Sequence, residues 1–237
     1  MRPYTAMLGD DLGELLGRRI PADHSRPVLA DHYAARLRPR RVMDLGCGAG
    51  DSVDLFRSVD PDVSWVGVDI EDSAEVASRT RADFDFVTFD GRRLPFEDAS
   101  FPFVYCKQVL EHVEHPRELL SEVARVLEPA GHLAGSTSQL EAFHSRSTLN
   151  WTPYGFTRLA EDAGLEVVEL RPVIDGFTMV AWRALGLPRF FHRWWARESP
   201  PYRLIELAGR AARLDARTRN QVKLVLAGQF AFLARRA

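Results

Sequence analysis

Short apolar runs alternate along this chain with amphipathic stretches of helical period, and the alternation predicts strand–helix–strand units. Val42, Met43 and Leu45 make a run short enough for a buried parallel strand. Val53, Leu55, Phe56 and Val59 follow at helical spacing, and Asp60-Pro61 closes that helix. Val63 to Val68 predicts a second strand, Phe84 to Phe89 a third and Phe101 to Cys106 a fourth. A helix beginning near His115-Pro116 carries the stripe Leu119, Leu120, Val123, Val126 and Leu127. Glu128-Pro129-Ala130-Gly131 ends it, and a fifth strand starts over His132 to Ser136. Thr152 and Pro153 are N-cap and first residue of the next helix, Gly164 terminates it, and Leu165 to Leu170 predicts strand six. The last apolar run is Gln229 to Ala234.

Two regions lie outside this rhythm. Ahead of the first strand, Leu8, Leu12, Leu15 and Leu16 predict one short amphipathic helix. A second is predicted over Ser25 to Leu37, with Ser25 as N-cap, Pro27 in its first turn and Pro39 stopping it. Behind strand six, Phe177 to Trp195 is rich in aromatic and aliphatic residues. Arg183, Arg189, His192 and Arg193 interrupt it, so it does not span a membrane. It suits packing on the sheet edge, a lid, a dimer contact or a peripheral membrane contact. Arg210, Arg213 and Arg217 fall on one face of a predicted helix, as a solvated face or a site for a phosphorylated substrate.

The chemistry gathers at the predicted strand tips. The first strand ends in Asp44 and then glycine at every second position: Gly46, Gly48 and Gly50, with Cys47 inside the loop. Glycine turns the chain sharply and lets backbone approach a ligand. The dinucleotide fingerprint G-x-G-x-x-G is not met, because Asp51 stands where its third glycine belongs. Strand two ends in Asp69-Ile70, where an acid suits ribose hydroxyls, and strand three is followed by the turn signal Asp90-Gly91. An acid at the strand tip followed by G-x-G-x-G resembles the first motif of class I S-adenosylmethionine (SAM)-dependent methyltransferases. The run Lys107-Gln108-Val109-Leu110-Glu111-His112-Val113 is similar to the family pattern in which Leu-Glu-His follows strand four. Asp90 to Leu133 as a whole resembles the small-molecule branch called type 11.

The resemblance implies an α/β fold: a three-layer, Rossmann-like, mostly parallel sheet of seven strands in the order 3-2-1-4-5-7-6. Strand seven, assigned to Gln229–Ala234, is then antiparallel, N-terminal helices shape the cofactor or substrate pocket, and Arg171 to Gly228 becomes a helical insertion. The chain reads as a single domain: a cap over 1–40, a cofactor-binding core over 41–170, an insertion or lid over 171–228, and the last strand over 229–237. The resemblance makes SAM the cofactor and S-adenosylhomocysteine (SAH) the product. Asp44, Gly46, Cys47, Gly48, Gly50, Asp69, Ile70, Asp90, Gly91 and Gln108 are the candidate cofactor residues. His112 and His144, on loops that this fold turns toward the transferred methyl, are the candidate catalytic bases. Glu111, His115 and Tyr154 rank behind them.

Composition narrows the partners. A net charge of −2 argues against bulk affinity for nucleic acid. Two cysteines, Cys47 and Cys106, make neither a disulfide framework nor zinc spacing, and no metal is expected. The start lacks a signal-peptide pattern and no apolar run reaches membrane length, so a soluble cytoplasmic protein is expected. Strand four ends in Tyr-Cys-Lys-Gln, unlike the Asn/Asp-Pro-Pro-aromatic tetrapeptide of DNA and glutamine N-methyltransferases. The reading is methyl transfer to a small-molecule acceptor, a hydroxyl of a sugar, secondary metabolite or lipid-linked intermediate. N- or C-methylation and a non-catalytic SAM-binding regulatory or partner protein stay open, with a nicotinamide dehydrogenase third.

Overall fold

The computed structural model describes residues 13, 16–23, 29–141 and 144–237. The strands β1 (Arg41–Leu45), β2 (Ser64–Ile70), β3 (Asp85–Phe89), β4 (Phe101–Lys107), β5 (Leu127–Ser138), β6 (Leu165–Pro172) and β7 (Gln229–Arg236) form one sheet. Its order is β3-β2-β1-β4-β5-β7-β6. Pairing is parallel from β3 through β5, and β7 runs antiparallel to both β5 and β6. This is the expected doubly wound, Rossmann-like sheet.

The pleat sorts apolar side chains onto two faces. Met43, Leu45, Val104, Cys106, Phe230 and Phe232 join the larger core, covered by α4 (Pro116–Val126) and α5 (Pro153–Asp162). Their neighbours Val42, Phe103, Tyr105, Ala231 and Leu233 face the second core, covered by α1 (Asp31–Leu37) and α2 (Ser52–Val59). Phe156 of α5 lies against Phe230 and Phe232, with ring centroids 5.8 and 4.4 Å away. Such a fully buried aromatic contributes about 1.5–3 kcal/mol by transfer alone. Two cores on one sheet make the three layers.

Four local expectations change. The helix predicted from Ser25 begins at Asp31, since Leu29 and Ala30 are not helical; Ser25 and Pro27, like Leu8, Leu12 and Leu15, lie outside the described residues. Glu128–Gly131, expected to end the preceding helix, is a bulge inside β5, the helix having ended at Val126. Leu127 is already paired with Phe101, the next partners are Phe103 and His132, and Ala130 takes φ +60° to accommodate the extra residues.

Arg210, Arg213 and Arg217 do not share a helix. Arg210 is in α8 (Pro200–Ala211), Arg213 in the turn at φ +58°, and Arg217 in α9 (Ala216–Val225). Their spacing mimics a helical face across a turn, and the phosphate reading loses its basis. The aromatic stretch is broken too. After α3 (Ala74–Ala77) near the front of the chain and α6 (Gly176–Ala184) here, Gly186 and Leu187 take positive φ and Pro188 follows. A 3-10 turn (Arg189–His192) and α7 (Arg193–Ala196) then complete the stretch. Phe191 is buried, whereas Phe177, Val180, Leu185, Leu187 and Phe190 stay exposed.

The insertion is nonetheless held at its root, where Val173 N–H donates to Gln229 O of β7 at 3.0 Å. Gly228 N–H donates to Ile174 O at 2.7 Å, and Gly176 N–H to Leu226 O at 2.9 Å. Lys223, fully buried, sits between Glu198 and Glu206. Because β7 is reversed, its first residue, Gln229, pairs with Ser138 at the last position of β5. The loops after β1 to β5 and the start of β7 therefore meet at one edge.

Candidate active site

Backbone geometry builds the first half of that edge. Gly46 and Cys47 N–H groups both reach Val68 O, at 2.7 and 3.2 Å, folding the loop over the end of β2. Gly46 has φ +71°, and a Cβ there would stand 2.3 Å from a Val109 methyl. Gly50 has φ +85°, with the Phe84 ring equally close to its missing Cβ. A side chain at either position collides as well as straining the backbone. Gly48 N–H donates to Asp69 Oδ2 at 2.7 Å, and Ile70 N–H to Asp69 Oδ1 at 2.8 Å. Asp69 is thus aimed across the glycine loop. A Cβ on Gly91 would stand 3.6 Å from Ile70 Cγ2 at the same end, while Asp90 accepts from the N–H groups of Arg92 and Arg93 at 2.9 and 2.7 Å. Those two bonds hold the Asp90 carboxyl below its usual range.

Asp44 is almost wholly buried and accepts from the Ser52 hydroxyl, which in turn accepts from the Trp65 indole N–H at 3.1 Å. Burial raises its pKa to about 7, against the Ser52 bond, with Asp69 adding repulsion. It borders a cleft of about 230 Å³ lined by Asp31, Gly46, Cys47, Asp51, Tyr105 and Lys107, among others. Asp31, in the first turn of α1, accepts from the Tyr105 hydroxyl and lies 3.3 Å from Lys107 Nζ. Three carboxylates and one ammonium share this space, an arrangement for a ligand that carries more positive than negative charge. Burial, together with Asp44 and Asp69, pushes the Cys47 thiol up, so it is no ready nucleophile.

The second half is a polar cluster assembled from separated segments. Gln108, at φ +57°, turns the chain out of β4 into the 3-10 turn Leu110–His112, a conformation costing a glutamine about 1–3 kcal/mol. Glu111 is fully buried and accepts from Thr137 Oγ1 at 2.9 Å and Ser138 Oγ at 3.1 Å. Its backbone carbonyl accepts from Thr148 and Leu149 N–H, drawing the loop after β5 back over the turn. His144 Nδ1 is 3.1 Å from Glu141 Oε2 and 3.7 Å from Glu111 Oε1. The His112 and His144 rings meet edge to face at 5.2 Å. The hydrogen bond to Glu141 raises the His144 pKa, against burial. Burial would raise Glu141, but bonds from His144, Gln229 and Arg183 outweigh it and bring its pKa to about 2.

Comparison with known proteins joins these halves to a reaction. Residues 43–135 match the type 11 methyltransferase-domain model. An O-methyltransferase of Aspergillus nomiae, rstn1, is 28% identical over 59% of this chain and 70% of its own length. A probable SAM-dependent methyltransferase of Mycolicibacterium smegmatis is 32% identical over 63% of this chain and 61% of its own, less than two thirds of that relative. The matched segment is a class I SAM-dependent methyltransferase domain. A SAM-dependent methyltransferase from Aquifex aeolicus has the same fold across the full length of both chains, with a TM-score of 0.54 at 12% identity.

In this methyltransferase the predicted residues fall into the two halves unequally. Asp44, Gly46, Cys47, Gly48, Gly50, Asp69, Ile70, Asp90 and Gly91 come together along the ends of β1 to β3. Gln108 does not join them. With its amide nitrogen toward the cluster it donates to Glu111 Oε1 at 3.0 Å and His144 Nδ1 at 3.3 Å, and its oxygen accepts from Ser136 Oγ at 3.0 Å. It belongs with His112 and His144. His115 lies apart, against Arg92, and Tyr154 is exposed on α5. Sequence reading passed over Ser138, Glu141, Arg183 and Gln229, whose alignment on one histidine has no local signature. Lys107, Tyr105 and Asp31 of the cleft were also missed; only their places at the end of a strand and the start of a helix hinted at them.

Proposed function

We propose that this methyltransferase transfers a methyl group to a hydroxyl of a small-molecule acceptor: a sugar, a secondary metabolite or a lipid-linked intermediate. The observation carrying the reading is the His144–Glu141 pair, set beside the glycine loop through the Gly46–Val109 contact. When bound, SAM supplies a methyl already activated by its sulfonium; the chain's residues bind, orient and handle the acceptor's proton.

Glycines 46, 48 and 50 present bare backbone, Asp69 suits a ribose diol, and Ile70, 41% exposed beside Gly91, offers an apolar surface for adenine. Asp44 and Asp31 suit the ammonium and Lys107 the carboxylate of the amino acid moiety. On the acceptor side, Glu141 orients His144 through Nδ1 and increases its basicity, leaving the other ring nitrogen to take a hydroxyl proton. His112 stands next to it as the second candidate base. An amine acceptor that binds neutral needs no such dyad, which is why a hydroxyl is favoured.

Calorimetry with SAM and SAH on the wild type and Asp69→Ala tests the cofactor half. Micromolar binding that collapses in the variant supports it, and no binding by folded wild-type protein refutes it. Mass spectrometry of hydroxyl-bearing acceptors incubated with SAM then reads the methyl gain. Methylation confined to amines or carbon acids would overturn the hydroxyl assignment.

A further inference from the structure

Glu111, His112 and His144 each offer one ligand atom, and these atoms all lie within 4.8 Å of one another. We propose that this cluster binds one divalent first-row cation of the Mn2+ or Zn2+ type. The inference deepens the proposed function at the acceptor half and changes the two histidines there from bases to ligands.

Three independent features support the site. The donor set is one carboxylate and two imidazoles, which suits Mn, Fe, Ni or Zn rather than calcium or magnesium. Glu111 is buried with two hydroxyl partners, and among the described residues its ion pair is with His144 alone. A buried carboxylate without a permanent cation is costly unless a counter-ion is supplied. The spacing also fits: ligands sharing an ion with bonds of about 2.0–2.2 Å stand roughly 3–4 Å apart. Glu111 Oε1 and His144 Nδ1 are 3.7 Å apart, and rotation of the half-buried imidazoles closes the rest.

Gln108 adds a fourth position. Its amide end stands 3.0 Å from Glu111 Oε1 and 3.3 Å from His144 Nδ1. Its nitrogen faces them when no ion is present; turning the amide over puts its oxygen there as a neutral ligand. Glu141 Oε2 lies 3.1 Å from the same His144 Nδ1 and adds a second carboxylate on the side where the ion would sit. An ion so placed would grip an acceptor's hydroxyl oxygen and make its proton more acidic.

Tag-free protein, stripped with EDTA and dialysed, is titrated with Mn2+ by electron paramagnetic resonance and with Zn2+ by calorimetry, with SAH binding measured on the same samples. One equivalent should bind to the wild type at micromolar or tighter affinity. His112→Asn and His144→Asn should each abolish saturable binding while keeping SAH affinity, and Glu141→Gln should weaken it about tenfold or more through loss of a negative charge beside the ion. Retained SAH binding certifies that the variants are folded. Wild-type protein that binds SAH but no metal, or variants that bind metal as the wild type does, would overturn the site and leave the methyltransferase reading standing. Loss of SAH binding by the wild type would instead strike the reading of the cofactor half.

Discussion

The two halves of the site are built by opposite strategies. The half proposed to hold the cofactor takes its acids from the tips of three neighbouring parallel strands and shapes its loop with backbone, so each element is a short motif. The acceptor half takes Gln108 and Glu111 from the exit of β4, Ser138 from the end of β5, and Glu141 and His144 from the next loop. Arg183 and Gln229 come from the insertion and the reversed last strand. Backbone-built sites are set by local conformation and tolerate little change in their glycines. Side-chain networks depend on distant elements arriving in register, and each member is held by others rather than by its own segment.

That contrast is breakable by mutation. The largest effect is expected for His144→Asn, which should lower kcat about 10²–10⁴-fold while SAH affinity, measured by calorimetry, stays within a few-fold. Equal losses in both would merge the halves into one unit. Asp69→Ala should do the reverse, weakening SAH by about 10–100-fold through loss of charge-assisted hydrogen bonds. Its kcat at saturating cofactor should be little altered.

Acidity separates the halves as well. Asp44 rises from 3.8 to about 7 in the folded chain without cofactor. Its stabilising contribution is therefore complete below pH 3.8 and lost as pH climbs through about 7. A cationic ligand favours the carboxylate, so the sign reverses for binding. SAM affinity should fall by up to about tenfold per unit as pH drops below 7, and Asp44→Asn should flatten that profile. The smallest effect is expected for Arg183→Ala. Removing one of the four groups that bond to Glu141 should cost kcat a few-fold, with SAH binding unmoved.

Sequence patterning finds the strand tips that meet beside the glycine loop for a physical reason. Asp44, Asp69 and Asp90 each follow an apolar run, and a parallel sheet aligns such run ends at one edge. The strands are legible from their apolar runs, while their order and the insertion before the last strand follow from the family resemblance. Gln108 lies with Glu111 and His144 instead of beside the glycine loop, because its position next to Lys107 says nothing of the φ +57° turn that swings it there. Glu141 and Gln229 became partners only through the antiparallel pairing of β5 with β7. Arg210, Arg213 and Arg217 were misjudged because helical spacing in sequence survives a turn that destroys it in space.

The reversal of β7 also bears on how the chain is made. On the ribosome, β1 acquires both its neighbours, β2 and β4, early. β5 gains only β4, and β6 pairs with β7 alone. Until Gln229–Arg236 emerges, β5 is an additional open edge of the nascent sheet and β6 an orphan strand, both rich in apolar residues and prone to pairing with other chains. The last strand acts as a clasp: polypeptides interrupted before it should partition to chaperones or aggregates even though every motif for the cofactor has already been synthesised.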